Sequence, residues 1–491
     1  MIVLVHLQLG FHACSSRSTP GYRRTPDRAT ASARVLAVFF GAVLSLTLWM
    51  LPQSARAGAP SGAVGNPATQ VPRVADGPGK KVAKNSTFHG GAALAIGFDS
   101  NVFSEPRSRP PARAAYGLPS GWLTIGNRPL RNGVLDTPAK ASGRKVDYHI
   151  GLLAGMRLYM SGKPTVWQAS KFNLGLNVRT MFAPGKRFSV AFEEDLYRLA
   201  EPTNFEAARA FNFNRIDHSA ALRFILRPSG GKFSIDVGYR NQLLAFQNAD
   251  YGRTGNRLVN GVETETKYRF RDRTALAVRY SYHYTYYFCC TDVGSGRNED
   301  SHAHRAMGGF VGQLGKKFVL DAFAGYGWGL YKQDVSGPNH KNFIGYAALG
   351  WFPGAKTQVG FHIGRSFHDS LWGNYYTDTG GSIAGTHVFR WNMRLDAGIG
   401  VYRRRYAGIP IPGVDTQDIV GYAAADGFLR KDTLISFNLQ LEQALGKYFV
   451  VGARYAVAAD LTDFAVLYSN GFEQAGRFSR HLLMGFAAVR Y

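Results

Sequence analysis

The chain lacks long apolar segments beyond its N-terminal region. After Leu51 every hydrophobic stretch is soon broken by glycine or a polar residue, which excludes membrane-spanning helices, since each needs about 20 consecutive apolar residues. Cysteine is scarce too, at three residues. Cys14 lies in the leader, so Cys289 and Cys290 alone remain, and no disulfide framework holds the fold. Neighbouring Cα atoms are about 3.8 Å apart, below the ~4.4 to 6.8 Å that a disulfide prefers, so free or intermolecular thiols are expected. Charge is low at 19%, which speaks against a coiled coil or an acidic disordered chain. Acidic residues are the scarcer sign, 33 against 58 basic, for a net +25. The basic excess is dispersed, with no run longer than Arg403-Arg404-Arg405, and Lys80-Lys81 and Lys316-Lys317 sit beside glycines. This reads as basic turns on a solvated rim, with no nucleic-acid partner.

Glycine and aromatic residues are abundant: 57 Gly, with 25 Tyr, 33 Phe and 7 Trp in 491 residues. Extended, Gly-punctuated, aromatic-rich strands follow, and a length that would otherwise hold about three domains suits one large closed architecture. Val35 to Leu51 is apolar apart from Ser45 and Thr47, is preceded by Arg23, Arg24, Arg28 and Arg34, and is followed by Ala55-Arg56-Ala57. That is a secretory signal with an A-x-A site. Residues 1–57 are therefore assigned to a signal peptide with an extended n-region, 58–86 to a flexible periplasmic tail rich in Gly, Pro, Ala and Lys, and 87–491 to a barrel. Losing the six arginines and one aspartate of residues 1–57 leaves +20. About thirty residues before the first strand argue against a plug domain, and no passenger domain is evident.

Alternation with period two recurs through the remainder. Phe172, Leu174, Leu176 and Val178 interleave with Asn173, Gly175, Asn177 and Arg179, and Ile435, Phe437, Leu439 and Leu441 with Ser436, Asn438, Gln440 and Glu442. Each such run is apolar on one face and polar on the other. Tight connections such as Ala183-Lys186, Pro228-Gly231, Gly315-Lys317 and Leu445-Lys447 alternate with long polar segments near 200–212, 247–258, 289–303, 332–340, 407–430 and 460–477. Short turns at one end and long loops at the other describe an outer-membrane barrel; no fixed repeat period supports a propeller. Seventeen strands are evident, an odd number whose mismatch falls before residue 160, and Tyr116 to Asn127 supplies the missing one. The expected fold is an all-β, antiparallel up-and-down transmembrane β-barrel of about 18 strands, with 16 the nearest alternative.

A barrel of that size leaves an aqueous lumen. The face opposite the apolar rows is expected to line it, with acids Asp147, Glu193, Asp195, Asp217, Asp236, Glu263, Glu265, Asp321, Asp396 and Glu442, bases Arg157, Arg179, Arg215, Arg223, Arg240, Lys267, Arg269, Arg279, Arg394 and Arg454, and the amides Asn438 and Gln440. Most of the positive excess is then left for turns, loops and tail, where it meets outer-membrane lipid and lipopolysaccharide, or an acidic polymer.

Three features look chemical. His283, Cys289, Cys290, His302 and His304 gather around one outer loop in a way that suits zinc or copper, but vicinal cysteines chelate poorly and a polar loop is preferred. His362, His368 and Asp369 form an enzyme-like trio of a kind any polar barrel offers by chance. Tyr282, Tyr284, Tyr286 and Phe288 fall at strand spacing and read as an interfacial aromatic girdle. No cofactor, metal or catalytic residue is assigned. The chain ends Leu483, Gly485, Ala487, Val489, Tyr491, which resembles the C-terminal strand signal read by barrel-assembly machinery.

Gly97-Phe98-Asp99-Ser100-Asn101-Val102-Phe103 and Ser366-Phe367-His368-Asp369-Ser370-Leu371-Trp372-Gly373-Asn374-Tyr375-Tyr376 resemble segments of the outer-membrane β-barrel proteins of exopolysaccharide biosynthesis and export systems. The resemblance implies a porin through which an exopolysaccharide leaves the cell, working with a periplasmic polysaccharide-export protein and its inner-membrane co-polymerase. A general diffusion porin, or a structural barrel without a polymer role, is the alternative.

Overall fold

In the computed structural model the described residues are 88–491, except 106–109, 128–129, 132–133, 136–144, 200–213, 229–230, 248–254, 272, 289–299, 332–338, 371–373, 408–418, 424–429, 463–464, 469–472 and 476. The expected signal peptide and tail, and Cys289 and Cys290, lie outside the described residues.

Among the described residues, eighteen long strands form one sheet: β1 Phe88–Asp99, β2 Ala114–Gly126, β3 Val146–Met160, β4 Lys171–Phe182, β5 Phe188–Leu199, β6 Arg215–Leu226, β7 Phe233–Phe246, β8 Arg257–Arg271 and β9 Thr274–Tyr287. The second half holds β10 Ser301–Leu314, β11 Phe318–Tyr331, β12 His340–Gly354, β13 Thr357–Asp369, β14 Tyr375–Val388, β15 Met393–Ala407, β16 Lys431–Leu445, β17 Phe449–Thr462 and β18 Phe478–Arg490. Each strand pairs antiparallel with its sequence neighbour, and β18 pairs with β1 from Gly91↔Arg490 to Asp99↔Leu482. The sheet is therefore closed. β2 is the strand that the odd count required, and the sixteen-strand alternative falls. Short pieces lie outside the barrel sheet: a three-stranded one of Ile419–Ala423, Ala465–Tyr468 and Glu473–Ala475, and the pair Leu130–Arg131 and Val134–Leu135.

The alternation separates the faces as its chemistry demands. On β18, Leu483 and Val489 are exposed while Leu482, Met484, Phe486 and Ala488 are buried. Exposed Leu94, Ile96, Phe224, Val278, Ile363 and Ile399 continue the outer apolar surface on other strands. An apolar row of this kind is stable only against lipid. The short connections gather at one end, where Gly315 and Gly446 take φ of +69° and +74° that other residues adopt only with strain. A further turn follows β14: Phe389 N donates to Met393 O (2.8 Å) and Asn392 has φ +62°. Phe389, Trp391 and Met393 keep the alternating spacing straight through that turn, so the pattern alone does not mark it. Between β3 and β4 the single turn of helix α1, Pro164–Gln168, begins on a proline suited to a first helical position.

The inner surface is not uniform. Around the closure of β1, β2, β3, β17 and β18 it is apolar, with Ala95, Tyr116, Leu118, Ala456, Leu482, Met484 and Phe486 in one buried cluster. The sequence reading assigned only polar groups to this face, because the outward residues of the closing strands are just as apolar and periodicity does not separate two apolar faces.

Candidate functional site: the inner wall and its outer end

From β4 to β12 the inner face carries a continuous ladder of paired charges. Arg179 pairs with Asp195 (2.5 Å), to which Asn177 also donates (2.7 Å). Arg223 lies between Asp236 (3.3 Å) and Glu263 (2.9 Å), and Arg240 holds the other oxygen of Glu263 (2.9 Å) while facing Glu193 at 3.8 Å. Lys267 and Arg279 converge on Glu265; Arg279 reaches Asp321 (4.0 Å), and Tyr346 donates to Asp321 (3.0 Å). His283 lies 3.5 Å from Glu263 and 3.3 Å from Arg305, which links the ladder to the outer end. The register explains the spacing. Arg179↔Glu193 and Glu265↔Arg279 are directly opposed across strand pairs, so opposite charges meet without long reaches.

Two aspartates of the motif segments organise the outer end. Asp99 is buried and receives Arg480 on both oxygens, the Tyr159 hydroxyl (2.9 Å) and the Asn101 amide (3.0 Å). Asn101 reaches Ser479 O (3.2 Å), and Ser100 and His481 exchange two more bonds. Gly97 permits the close packing here: a Cβ would lie 2.5 Å from Leu483 O and 2.6 Å from the Tyr116 ring.

Asp369 does something different. Its oxygens accept from Thr285 (2.7 Å) on β9, Ser301 (3.1 Å) on β10 and Tyr331 (3.1 Å) on β11, although Asp369 belongs to β13. Pairing between β12 and β13 stops at Gly345↔Arg365. Beyond it Phe367 is fully buried, with its ring 4.1 Å from His340, under the Arg305 guanidinium (4.3 Å), which also donates to Phe367 O (3.0 Å). The outer end of β13 thus parts from its neighbour and crosses the inner faces of β9 to β11.

A third group lies on β14 to β17. Arg404 is fully buried and forks onto Asp378 (2.7 and 2.8 Å) beneath Tyr376 (3.9 Å). Arg430 joins Asp432 (2.7 Å) and Asp460 (3.4 Å). Burial works against the charge on Arg430, but Asp432, Tyr406 and Asp460 outweigh it and raise its pKa above the ordinary arginine value. The middle residue of the basic run Arg403-Arg404-Arg405 is thus not on a solvated rim: strand alternation turns it inward.

The expected wall residues fall into separate groups. Eleven join the ladder: Arg179, Glu193, Asp195, Arg223, Asp236, Arg240, Glu263, Glu265, Lys267, Arg279 and Asp321. Arg215 pairs with Asp217 (3.0 Å). Arg394 pairs with Asp396 (2.7 Å), near Gln440 and Glu442 on β16. Asn438 lies beside Gly398, Arg157 over the Tyr116 ring (5.0 Å), and Asp147 and Arg454 are buried on β3 and β17. Arg269 stands apart at the turn end, its N bonded to Lys232 O (2.7 Å). Sequence reasoning gave no inner-wall role to Asp99, Arg305, Asp369, Arg404 and Arg480. Asp99 and Asp369 were visible inside the motif segments, and Arg404 by strand parity.

The histidines near the outer loop do not converge. His283 is on the ladder, whereas His302 and His304 face outward and bond the hydroxyls of Tyr282 (2.8 Å) and Tyr280 (2.9 Å). The enzyme-like trio is dispersed in the same way: Asp369 is held as above, His362 is 3.5 Å from the Tyr402 hydroxyl, and His368 lies over Tyr376 (5.3 Å).

No family model and no curated protein matches the chain. Among solved structures it is similar to the outer membrane protein OpdK from Pseudomonas aeruginosa (10% identity, 82% of this chain and 99% of that one, TM-score 0.41) and to OccAB3 of Acinetobacter baumannii (10%, 82% and 99%, 0.39). The siderophore receptor PirA from Pseudomonas aeruginosa follows (8%, 83% and 80%, 0.38). Likeness at this level adds nothing to the strand pairing, which by itself defines the class. Among the described residues the chain is an eighteen-strand, closed antiparallel β-barrel of the outer-membrane type.

Proposed function

We propose that the barrel is an outer-membrane channel for small hydrophilic solutes, its ladder lining the aqueous path. One observation carries this: the outer end of β13 crosses the inner wall, pinned through Asp369 to β9, β10 and β11. A segment held across the inner wall narrows the path, which favours small solutes over a polymer chain. The ladder supports the same reading, because its cations lie within reach of carboxylates and the wall presents no single dominant sign of charge. Polar groups of both kinds replace water around a passing solute without one tight site that would hold it.

Passage of an exopolysaccharide, with a periplasmic export protein as partner, is the second reading. Its support is the resemblance of the Gly97–Phe103 and Ser366–Tyr376 segments, and both now have architectural roles at the outer end of the barrel. Liposome swelling separates the readings. Vesicles carrying the barrel should admit mono- and disaccharides at rates that fall steeply with size. Vesicles impermeable to every small sugar, together with loss of a surface polymer from cells lacking the gene, would overturn the small-solute reading.

A further inference from the structure

Polar side chains also occur where lipid should be. In register across six strands, Glu194 on β5 opposes Ala220 on β6, Ala220 opposes Asn241 on β7, Asn241 opposes Asn260 on β8, Asn260 opposes Tyr284 on β9, and Tyr284 opposes His302 on β10. These residues share the parity of exposed Leu196, Leu222, Phe224, Tyr239 and Val262, so they face outward. Tyr284 and His302 are near the loop end, where an aromatic belt belongs. Glu194 and Asn241 are not. Glu194 is the seventh residue of a twelve-residue strand, with Phe192 below it and Leu196 above; Asn241 has Tyr239 below and Leu243 above. His218 Nε2 lies 3.5 Å from Glu194 Oε1, and Asn241 donates to Asn260 Oδ1 (2.9 Å). A shallow concavity of about 390 Å³ opens beside them, lined by Tyr239, Asn260, Val262, Tyr282, Tyr284 and His302.

Polar groups in the middle of a lipid-facing band are destabilising. We infer that the outer face of β5 to β8 is covered by a second copy of this chain, which meets it through the same face. The chemistry favours a self-partner. Glu194 and Arg198 are the formal charges of this face and are of opposite sign, so the face carries no strong net charge. The amides of Asn241 and Asn260 each offer both donors and acceptors, so identical patches satisfy one another across a twofold axis normal to the membrane. A phosphorylated lipid headgroup would instead call for a cluster of Arg or Lys. The face offers Arg198, whose guanidinium donates to Phe172 O (2.7 Å). Elsewhere the outer surface is apolar at the same depth, as at Ile399 on β15 and Leu439 on β16.

The test is cysteine crosslinking in native outer membranes, with Cys289 and Cys290 changed to serine. Under mild oxidation Ala220→Cys should give a covalent dimer and Leu439→Cys should stay monomeric. The doubly substituted Asn241→Leu/Asn260→Leu barrel gives a second readout. A lipid-facing patch would tolerate or welcome leucine and leave the mass in detergent unchanged, whereas a self-interface should shift the protein from dimer towards monomer. Monomeric mass for the parent barrel with no crosslink at Ala220→Cys, with or without copurifying lipopolysaccharide, would overturn the inference.

Discussion

Asp99 at the end of the first strand and Arg480 at the start of the last are 381 residues apart in sequence and form a buried, two-oxygen ion pair across the closure of the barrel. Closing a sheet on itself abolishes its edges, and this pair fixes where the first and last strands meet. Removing one partner leaves a buried charge unmatched, which typically costs about 3 to 5 kcal/mol. Arg480→Met should therefore lower the barrel's stability by about that amount in urea unfolding from lipid vesicles. Adding Asp99→Asn should recover part of the loss. Additive losses in the double variant would show that the two residues do not act as a pair.

The facing of the strands is testable on one strand with neighbouring residues. Arg at Leu439, on the lipid face, should cost about 2 to 4 kcal/mol if it lies at the bilayer midplane. Arg at Asn438, on the opposite face beside Gly398, should cost much less. Equal costs would mean that the assigned facing is wrong, and a larger cost at Asn438 that the two faces are exchanged.

Charge balance along the ladder sets ion preference. Glu263 is shared by Arg223 and Arg240, so Glu263→Gln leaves both guanidiniums with one carboxylate fewer between them. Under a salt gradient the reversal potential should move towards anion preference relative to the parent barrel. An unchanged potential would place this part of the ladder away from the conducting path.

Much of the fold was legible because an outer-membrane strand must be apolar towards lipid, and period-two alternation reports that requirement directly. The strand between 104 and 144 was found by parity, since both ends of a closed barrel with short periplasmic turns must lie on one side. The same alternation set charges such as Arg223 and Glu263 on the face opposite the apolar rows. What pairs with what was not legible, because it depends on register between strands. Asp369 shows the limit most clearly: its three partners come from β9, β10 and β11, brought to it because the end of β13 leaves the wall, and no local pattern encodes that departure. The apolar inner face at the closure was hidden for another reason, since Leu482, Met484 and Phe486 alternate with outward residues that are equally apolar.

The claim that the inward end of β13 limits passage is tested most directly by single-channel conductance in planar bilayers. Asp369→Ala removes the acceptor of Thr285, Ser301 and Tyr331 while leaving the ladder intact. The account predicts a small, steady conductance for the parent barrel and a larger or more widely fluctuating one for Asp369→Ala. Equal conductance for the two, with correctly folded barrel in both, would contradict it.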